Sequence, residues 1–404
     1  MMKFFLYIIL ITFSSAFGQE EGTPQRIVLN LTEKPAESIS VTWRTVDMYI
    51  NSEVSVAEAT ADTSFVDNVK SFPVKIEEVL LNTGDIVYHY SSTLTDLNPQ
   101  TLYTYKVGHD SVWSEWSQFK TASNKPSPFR FIYFGDPQNY LKSFVSRIFR
   151  AAYSEAPQAA FWLIAGDLIT DPSRDELWGE FFYAAGFITR MTPLMPAAGN
   201  HEYRGLIYYP VEDNKRKILT PLWRPHFTLP ANGVDDLLET NYYFDYQDVR
   251  FIVLNGSEDL NAQLPWLEEK LENNKCKWTI VSIHQPLYST GKNRDSREYQ
   301  EKLLPLYDNY GVDLVLQGHD HAYGRTYKLK NGQIVGNNEK GTVYVVSVSG
   351  PKVYSLNDKY KNLMVKTGNG LQLFQVISVD GNLLDYKSYT ATGELFDSFE
   401  LIKE

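Results

Sequence analysis

Seven polar residues follow apolar runs of the chain, at the points where predicted strands end. They are Asp136, Asp167, Asn200, His201, His284, His319 and His321. In an open sheet of alternating strands and helices, ligands bind beyond the carboxyl ends of the strands. The chain has seven histidines, and four of them belong to this set, so the set predicts one shared site rather than scattered surface residues.

The side chains of this set are those of a metal centre. Carboxylates, amide oxygens and imidazoles are ligands of hard and borderline metal ions. Taken singly, a carboxylate such as Asp167 can cap a helix, and a histidine such as His284 can pack in a core. The sequence GHDH, which holds His319 and His321 two residues apart, is more specific because packing does not explain it. Together the residues predict a metal site with a nearby acid or base.

The elements that must position these residues lie after a linker at 121–129 that contains two prolines. There, strand-like apolar runs alternate with helix-like segments, which predicts βαβ units and a mainly parallel sheet covered on both faces. The strands are FRFIYFGD, FWLIAGD, VRFIVLNG, KWTIVSIH, VDLVLQGH and TVYVVSVSG. The helices are residues 140–156, DELWGEFFYAAGFI, LPWLEEKLEN and REYQEKLLPLYDNYG.

Residues 24–121 are predicted to form a separate all-β domain. SISVTWRT alternates apolar and polar residues, and Tyr103 follows a turn at Asn98, where sandwich domains place a tyrosine corner. This segment resembles a fibronectin type III domain. WSEWS at 113–117 is similar to the tryptophan box of cytokine receptors, but nothing else in the chain suggests a receptor. We interpret it as the aromatic last strand of the β domain.

The beginning of the chain has the composition of a secretory signal peptide. Lys3 precedes a ten-residue apolar run from Phe4 to Phe13, and small residues lead to a cleavage site after Gly18. We therefore expect residues 1–18 to be removed and the protein to be secreted or periplasmic. Cys276 is the only cysteine, so no internal disulfide forms and the fold depends on its core or on metals.

The net charge of −11 disfavours nucleic acid as a partner, because binding to a phosphate backbone needs a basic surface. No other stretch is long and apolar enough to cross a membrane, so no membrane partner is expected after signal cleavage. If the substrate is an anion, its attraction must come from a metal or from a few local cations.

The order of motifs resembles that of the calcineurin-like metallophosphoesterases: an Asp, then GD, GNHE, a His after an apolar strand, and GHxH. The N-terminal β domain and the longer run GHDHAYGR are similar to those of purple acid phosphatases. The resemblance covers about residues 24–404. It implies a four-layer αββα catalytic domain over 128–404, after the fibronectin type III-like domain at 24–121.

The resemblance also implies two metal ions (Fe, Zn or Mn) that are bridged by Asp167. The first would be held by Asp136, Asp167 and His321, and the second by Asp167, Asn200, His284 and His319. Two such ions acidify a shared water and clamp an in-line displacement at phosphorus. By the same resemblance, hydroxide attacks the phosphorus and His201 protonates the leaving oxygen as general acid.

Two residues depart from the pattern of the family. The purple enzymes carry GDxxY, whose tyrosinate binds ferric iron, and Thr170 stands in that place. The wider superfamily has DxH in its first motif, and Gln138 stands in the place of that histidine, as a weak ligand at best. Tyr140 is a distant candidate for a displaced tyrosinate. Because an anionic ligand is lost, we expect two divalent ions, or a first ion that is easily lost, and no purple colour.

Residues around this set have more than one interpretation. Glu202 either orients His201 or is a polar residue at a helix start, and Arg325 either binds phosphate or braces its loop, which we favour. The remaining histidines are expected to be at the surface or structural, with the loop of His226 as a candidate rim of the site. They are His89, His109 and His226.

The function that these residues predict is hydrolysis of phosphate monoesters of small phosphorylated compounds by an exported enzyme. Two alternatives remain open. The same site can act on a phosphodiester or a nucleotide, because the sequence shows no specificity pocket. The weakened first set of metal ligands is also compatible with a binding protein that no longer turns over.

Overall fold

The computed structural model describes residues 22–203, 218–292, 294, 296–336 and 338–404. The predicted signal peptide at 1–18 therefore lies outside the described residues. Within the described ranges, no helix combines the length and the apolar character that a membrane crossing requires.

Nine strands at the N-terminal end form a sandwich of two antiparallel sheets. One sheet has the order β1-β2-β6-β5; the other has the order β4-β3-β7-β8, with β9 also on β7. The strands are β1 (Gln25–Leu31), β2 (Ile39–Thr45), β3 (Ser52–Glu58), β4 (Lys70–Phe72), β5 (Lys75–Leu80), β6 (Ile86–Leu94), β7 (Leu102–His109), β8 (Val112–Trp113) and β9 (Ser117–Lys120). Their inward-facing residues, such as Trp43 and Tyr105, form one core.

The expected tyrosine corner is present. The hydroxyl of Tyr103 accepts a hydrogen bond of 2.8 Å from the backbone N–H of Asn98, which fixes the turn before β7. The run WSEWS spans the end of β8 and the connection to β9, rather than one last strand. The ammonium of Lys106 on β7 lies 4.0 Å from the ring centre of Trp113 and 5.0 Å from that of Trp116, so the run packs within the β domain.

After the sandwich, the described residues form two large sheets, a two-stranded sheet of β18 and β19, and five helices. The strands are β10 (Phe129–Phe134), β11 (Trp162–Ile164), β12 (Leu194–Pro196), β13 (Tyr242–Tyr246), β14 (Val249–Leu254), β15 (Trp278–Ile283), β16 (Leu314–Gln317), β17 (Tyr323–Thr326), β18 (Leu329–Lys330), β19 (Gln333–Ile334), β20 (Val343–Val346), β21 (Met364–Gly368), β22 (Leu373–Asp380), β23 (Leu383–Thr390) and β24 (Leu395–Ile402). The helices are α1 (Ser146–Glu155), α2 (Asp175–Ala185), α3 (Trp223–His226), α4 (Leu260–Glu272) and α5 (Arg297–Tyr310).

These elements form the four αββα layers that the resemblance implies. The rings of Phe131 on β10 and Phe251 on β14 meet edge to face at 5.1 Å, so the two sheets pack against each other. The core between the sheets continues to α1 and α2, which bury Phe149 and Trp178. A second core lies under α4 and α5 on the other sheet. Each sheet is thus covered by the other sheet on one face and by helices on the other.

The prediction of a mainly parallel sheet is correct only for one half of the first sheet and for the centre of the second. The first sheet has the order β12-β11-β10-β22-β23-β24, and the second has the order β13-β14-β15-β16-β20-β17-β21. The pairs β10–β11–β12 and β14–β15–β16–β20 are parallel. The flanking strands, including β22 to β24, are antiparallel. These last strands are joined by short turns, so the sequence lacks the intervening helix-like segments that would indicate them.

A buried ion network joins the sandwich to α2. Asp175 at the start of α2 accepts hydrogen bonds from Arg26 at 2.6 and 2.8 Å and from Arg44 at 2.9 Å. His226 lies beside this network, 3.0 Å from Arg26, and His89 bonds to the backbone of α3. Both histidines are therefore buried structural residues between the domains, and His226 does not rim the predicted site.

We expect Asp175→Asn to lower the free energy of unfolding by about 3 kcal/mol, because it leaves two buried guanidinium groups without a counter-charge. Although burial opposes it, bonding to Arg26 lowers the pKa of Asp175, so its stabilisation is lost only as the pH falls through that lowered pKa. Urea unfolding at several pH values measures both effects. Asp358→Asn, at a side chain that is 88% exposed, is the matched control and should change stability by less than about 0.5 kcal/mol. Equal effects of the two changes would contradict a stabilising network.

Candidate metal centre

Asp136 and Asp167 follow two parallel neighbours in the first sheet. Phe134 at the end of β10 is in register with Ile164 at the end of β11, so the loops that follow leave the same sheet edge. The N–H of Gln138 donates to the carbonyl of Asp167 at 3.2 Å, which holds the two loops together. Both carboxylates are buried, and they therefore need positive charge or hydrogen-bond donors nearby.

The second sheet brings His284 and the GHDH loop to the same place. His284 follows β15, and its carbonyl accepts the N–H of Gly318 after β16 at 3.0 Å. The N–H of His319 then donates to Asp136 Oδ1 at 2.6 Å, which ties this loop to the first sheet. A Cβ on Gly318 would overlap Asp136 Oδ1, so only glycine allows this approach.

Three potential ligand atoms surround Nε2 of His284. Its Nε2 lies 3.2 Å from Asn200 Oδ1, 3.3 Å from Asp167 Oδ2 and 3.1 Å from His319 Nδ1. Its Nδ1 is 2.7 Å from the carbonyl of Ala165, and because a carbonyl only accepts, Nδ1 carries the proton. This contact leaves Nε2 as the free ligand atom, as metal-binding histidines require. The ligand atoms of Asp167, His284 and His319 all lie within 4.8 Å of one another.

A second group of donors lies on the other side of Asp167. His321 Nε2 is 3.5 Å from Asp136 Oδ2, and Gln138 Nε2 is 2.9 Å from Asp167 Oδ2 and 3.2 Å from His321 Nε2. Asp136 Oδ2 and Gln138 Oε1 are buried and have no hydrogen-bond partner. Since buried acceptors are normally satisfied, these two oxygens are chemically suited to a cation.

The electrostatics of the cluster also suit a cation. Burial lowers the pKa of His319 to about 2 and that of His321 to about 3, so both imidazoles are neutral, which is the form that binds metal. Burial alone would lower the pKa of His284, but Asp167 and Asp136 raise it to about 10. Two carboxylates around one imidazole thus attract positive charge, which either a proton or a metal ion supplies.

The backbone is strained where it presents these residues. Asp167, His319 and His321 have φ angles of 53°, 72° and 47°, in the left-handed region that side chains other than glycine disfavour. Such strain persists only where the surroundings enforce it, and it is concentrated at functional sites. Asp320, between the two histidines, enforces it here, because its Oδ2 accepts bonds from Ser289, Thr290 and Gly291. Sequence reasoning missed this residue, although its place inside GHDH is a signal.

Glu202 contacts the backbone of the site loops, a role that differs from both interpretations considered for it. Its carboxylate accepts three backbone N–H groups: Gly199 at 2.7 Å, Leu168 at 2.9 Å and Asp167 at 3.0 Å. Burial and then Asp167 raise the pKa of Glu202, and the three donors oppose that shift by favouring the ionised form. Glu202 therefore fixes the backbone that carries Asp167.

His201 is oriented by a backbone carbonyl. Its Nδ1 lies 2.6 Å from the carbonyl of Thr170, and its Nε2 lies 3.9 Å from Asp167 Oδ2. The side chain of Thr170 accepts a bond from Asn139 at 3.0 Å. Tyr140 is 69% exposed and packs on Phe144, so the structure does not bring it into the cluster as a displaced tyrosinate.

Arg325 braces the sheet. Its guanidinium forms a two-point ion pair with Asp397 on β24, at 2.7 and 2.8 Å, and the hydroxyl of Tyr323 donates to the same carboxylate at 2.8 Å. Because both oxygens of Asp397 accept hydrogen bonds, Arg325 links β17, on which it lies, to β24. These contacts support the bracing role and not the alternative of phosphate binding.

Comparison with known protein families agrees with this geometry. Residues 24–121 match the model of the purple acid phosphatase N-terminal domain, and residues 129–323 match that of the calcineurin-like phosphoesterases. The chain is a purple acid phosphatase-like member of the calcineurin-like phosphoesterases. The purple acid phosphatase PPD1 from yellow lupin seeds has the same fold, with a TM-score of 0.76 over 95% of this chain and 75% of that one, at 19% identity.

Relatives of this purple acid phosphatase-like chain occur in distant organisms. An uncharacterized protein of Mycobacterium tuberculosis is 29% identical over 72% of this chain, and the match spans 60% of that relative's length. Acid phosphatase type 7 of Homo sapiens is 25% identical over 85% of this chain and 82% of the relative. The probable purple acid phosphatase 20 of Arabidopsis thaliana is 26% identical over 68% of this chain and 66% of the relative.

We expect Glu202→Gln to lower the free energy of unfolding by about 2 kcal/mol, because the amide group must face a backbone N–H that now donates to a carboxylate. The metal content after dialysis should fall as well, since the backbone of Asp167 is no longer fixed. Urea unfolding and elemental analysis measure these effects. Glu176→Gln removes a carboxylate that is 54% exposed and should change neither quantity. A fully stable, fully loaded Glu202→Gln protein would refute the role of Glu202.

Proposed function

We propose that this chain is an exported phosphatase that uses two metal ions to hydrolyse phosphate monoesters of small compounds. The observation that carries the proposal is the meeting of ligand atoms from both sheets around the buried carboxylate of Asp167. Two further observations support it. One Asp136 oxygen has no hydrogen-bond partner, and the imidazoles of His319 and His321 are neutral. The division into domains at 24–121 and 128–404 is part of the same proposal.

The ligand sets we propose share Asp167 between two ions. The first set consists of Asp136, Asp167 and His321, with Gln138 as a weak further ligand, and the second consists of Asp167, Asn200, His284 and His319. When bound, a pair of ions supplies a water of lowered pKa as nucleophile and positive charge for the phosphoryl oxygens. The ions are divalent in this proposal, because the first set offers no anionic side chain beyond the two aspartates.

His201 is the proposed general acid. The carbonyl of Thr170 only accepts a hydrogen bond, so Nδ1 of His201 keeps its proton and Nε2 is the atom that exchanges one. A proton on Nε2 makes the ring an imidazolium, which the carboxylate of Asp167 at 3.9 Å stabilises. His201 would then donate this proton to the leaving oxygen, so the departing group leaves as a neutral alcohol.

The metal-loaded protein should hydrolyse an aryl phosphate, and a chelator should abolish this activity. Asn200→Ala should lose both metal and activity, because it removes a proposed ligand. His201→Ala should keep its metal but lose activity by about 10²- to 10⁴-fold, with the larger loss for alkyl phosphates, whose leaving oxygen needs the proton most. Steady-state kinetics with elemental analysis of each preparation tests all three expectations.

A panel of monoesters, diesters and nucleotides on the same preparation separates the open alternatives. Preference for diesters or nucleotides would replace the monoester assignment. Metal binding without turnover of any ester would indicate a binding protein. Activity that survives both the chelator and Asn200→Ala would refute a metal-dependent mechanism. His109→Asn, in the β domain, is the control and should keep full activity.

Elemental analysis should find two divalent ions in each loaded molecule, and the absorption spectrum should lack a strong visible band. The reason is Thr170, whose short side chain is bonded to Asn139 and supplies no phenolate for ferric iron. The first ion should also be lost sooner on dialysis, since Gln138 is a neutral ligand. A strong visible tyrosinate–iron band would contradict this expectation.

A further inference from the structure

Tyr354 packs against the loop that carries His321. Its ring lies edge-on to the ring of His321, with the centres 4.9 Å apart, and its N–H donates to the carbonyl of His321 at 3.2 Å. Tyr354 belongs to the segment after β20, which reaches the cluster because the N–H of Gly350 donates to the carbonyl of Asp136 at 2.7 Å. This tyrosine is therefore part of the surroundings of the proposed first metal set.

Two cations lie against the ring of Tyr354. The ammonium of Lys352 is 5.2 Å from the ring centre, and the guanidinium of Arg294 is 5.3 Å from it. Both side chains are half-buried, so their charges are screened less than those of fully exposed residues. In a chain with a net charge of −11, two cations beside one ring of the site form a local positive patch.

The acidic residues nearby compensate the charge of this patch only in part. Arg294 forms an ion pair with Asp320, whose Oδ1 is 3.9 Å away and too far for a hydrogen bond. Among the described residues, no carboxylate lies within ion-pair distance of the Lys352 ammonium.

We propose that Lys352 and Arg294 bind a second anionic group of the substrate, one carried by the leaving group. This inference rests on the proposed phosphatase function and adds a substrate class to it. Lys352 touches Tyr354, and Tyr354 touches His321, so the cations lie one ring further out than the metal ligands. We therefore assign to them a second anionic group of the substrate, and to the metal set the reacting phosphoryl group. The favoured substrates are phosphomonoesters whose leaving group carries a carboxylate or another phosphate.

Binding of two phosphonates that are not hydrolysed tests this inference. Isothermal titration calorimetry of the metal-loaded protein should show 4-carboxyphenylphosphonate binding about fivefold more tightly than phenylphosphonate, as expected for one partly exposed ion pair. Lys352→Met and Arg294→Gln should each reduce this ratio, and the double variant should bring it close to one. The ratio should also fall as salt is raised, because the added contact is electrostatic.

Lys75→Met, which removes a cation on β5 whose side chain is 76% exposed, is the matched control and should keep the ratio of the wild-type protein. A wild-type ratio at or below one, or a ratio that is unchanged in the double variant, would overturn the anion-binding role while leaving the phosphatase proposal intact. Equal losses for both phosphonates would instead assign the cations to the reacting phosphoryl group. If phenylphosphonate does not bind and phenyl phosphate is not hydrolysed, the proposed function itself fails.

Discussion

The burial of two carboxylates at one sheet edge is the constraint on which the rest of the site depends. Asp136 and Asp167 are almost fully removed from solvent, and a buried anion without compensation is costly. Imidazoles from the second sheet and backbone N–H groups from the loops provide this compensation. This arrangement requires the carboxyl edges of both sheets to meet. The contact of Phe131 with Phe251 packs the two sheets together, so it contributes to the site as well as to the core.

The site loops are held by anions that sequence patterns do not identify as supports. Glu202 accepts three backbone N–H groups near Asp167, and Asp320 accepts two backbone N–H groups and the hydroxyl of Ser289. Each carboxylate accepts hydrogen bonds from loop N–H groups, whose partners in regular secondary structure would be backbone carbonyls. The strained φ angles of Asp167 and His319 are maintained by these contacts, which is why the ligand loops can be irregular and still precisely placed.

The ends of the central strands were predictable from sequence, because apolar runs followed by Asp or His have a direct physical meaning. The two-domain architecture followed from the change from alternating to continuous apolar runs. The role of Glu202 and the partner of Arg325 are not predictable from sequence, since a carboxylate after Asn200 or an arginine near GHDH has several possible partners, although bracing by Arg325 is the favoured prediction. Asp397, the partner of Arg325, lies 72 residues away in the sequence, and only the tertiary fold brings the pair together. The antiparallel strands β22 to β24 were missed for a similar reason: their partners depend on sheet order.

The bond between His201 and Thr170 uses the backbone of Thr170 and not its side chain. Any residue at this position can therefore supply the same carbonyl to the imidazole. The side chain is free to change without disturbing the orientation of His201. In evolutionary terms, the fold separates two traits at one codon: a substitution of Thr170 would alter the proposed metal preference while the orientation of His201, the proposed proton donor, is kept.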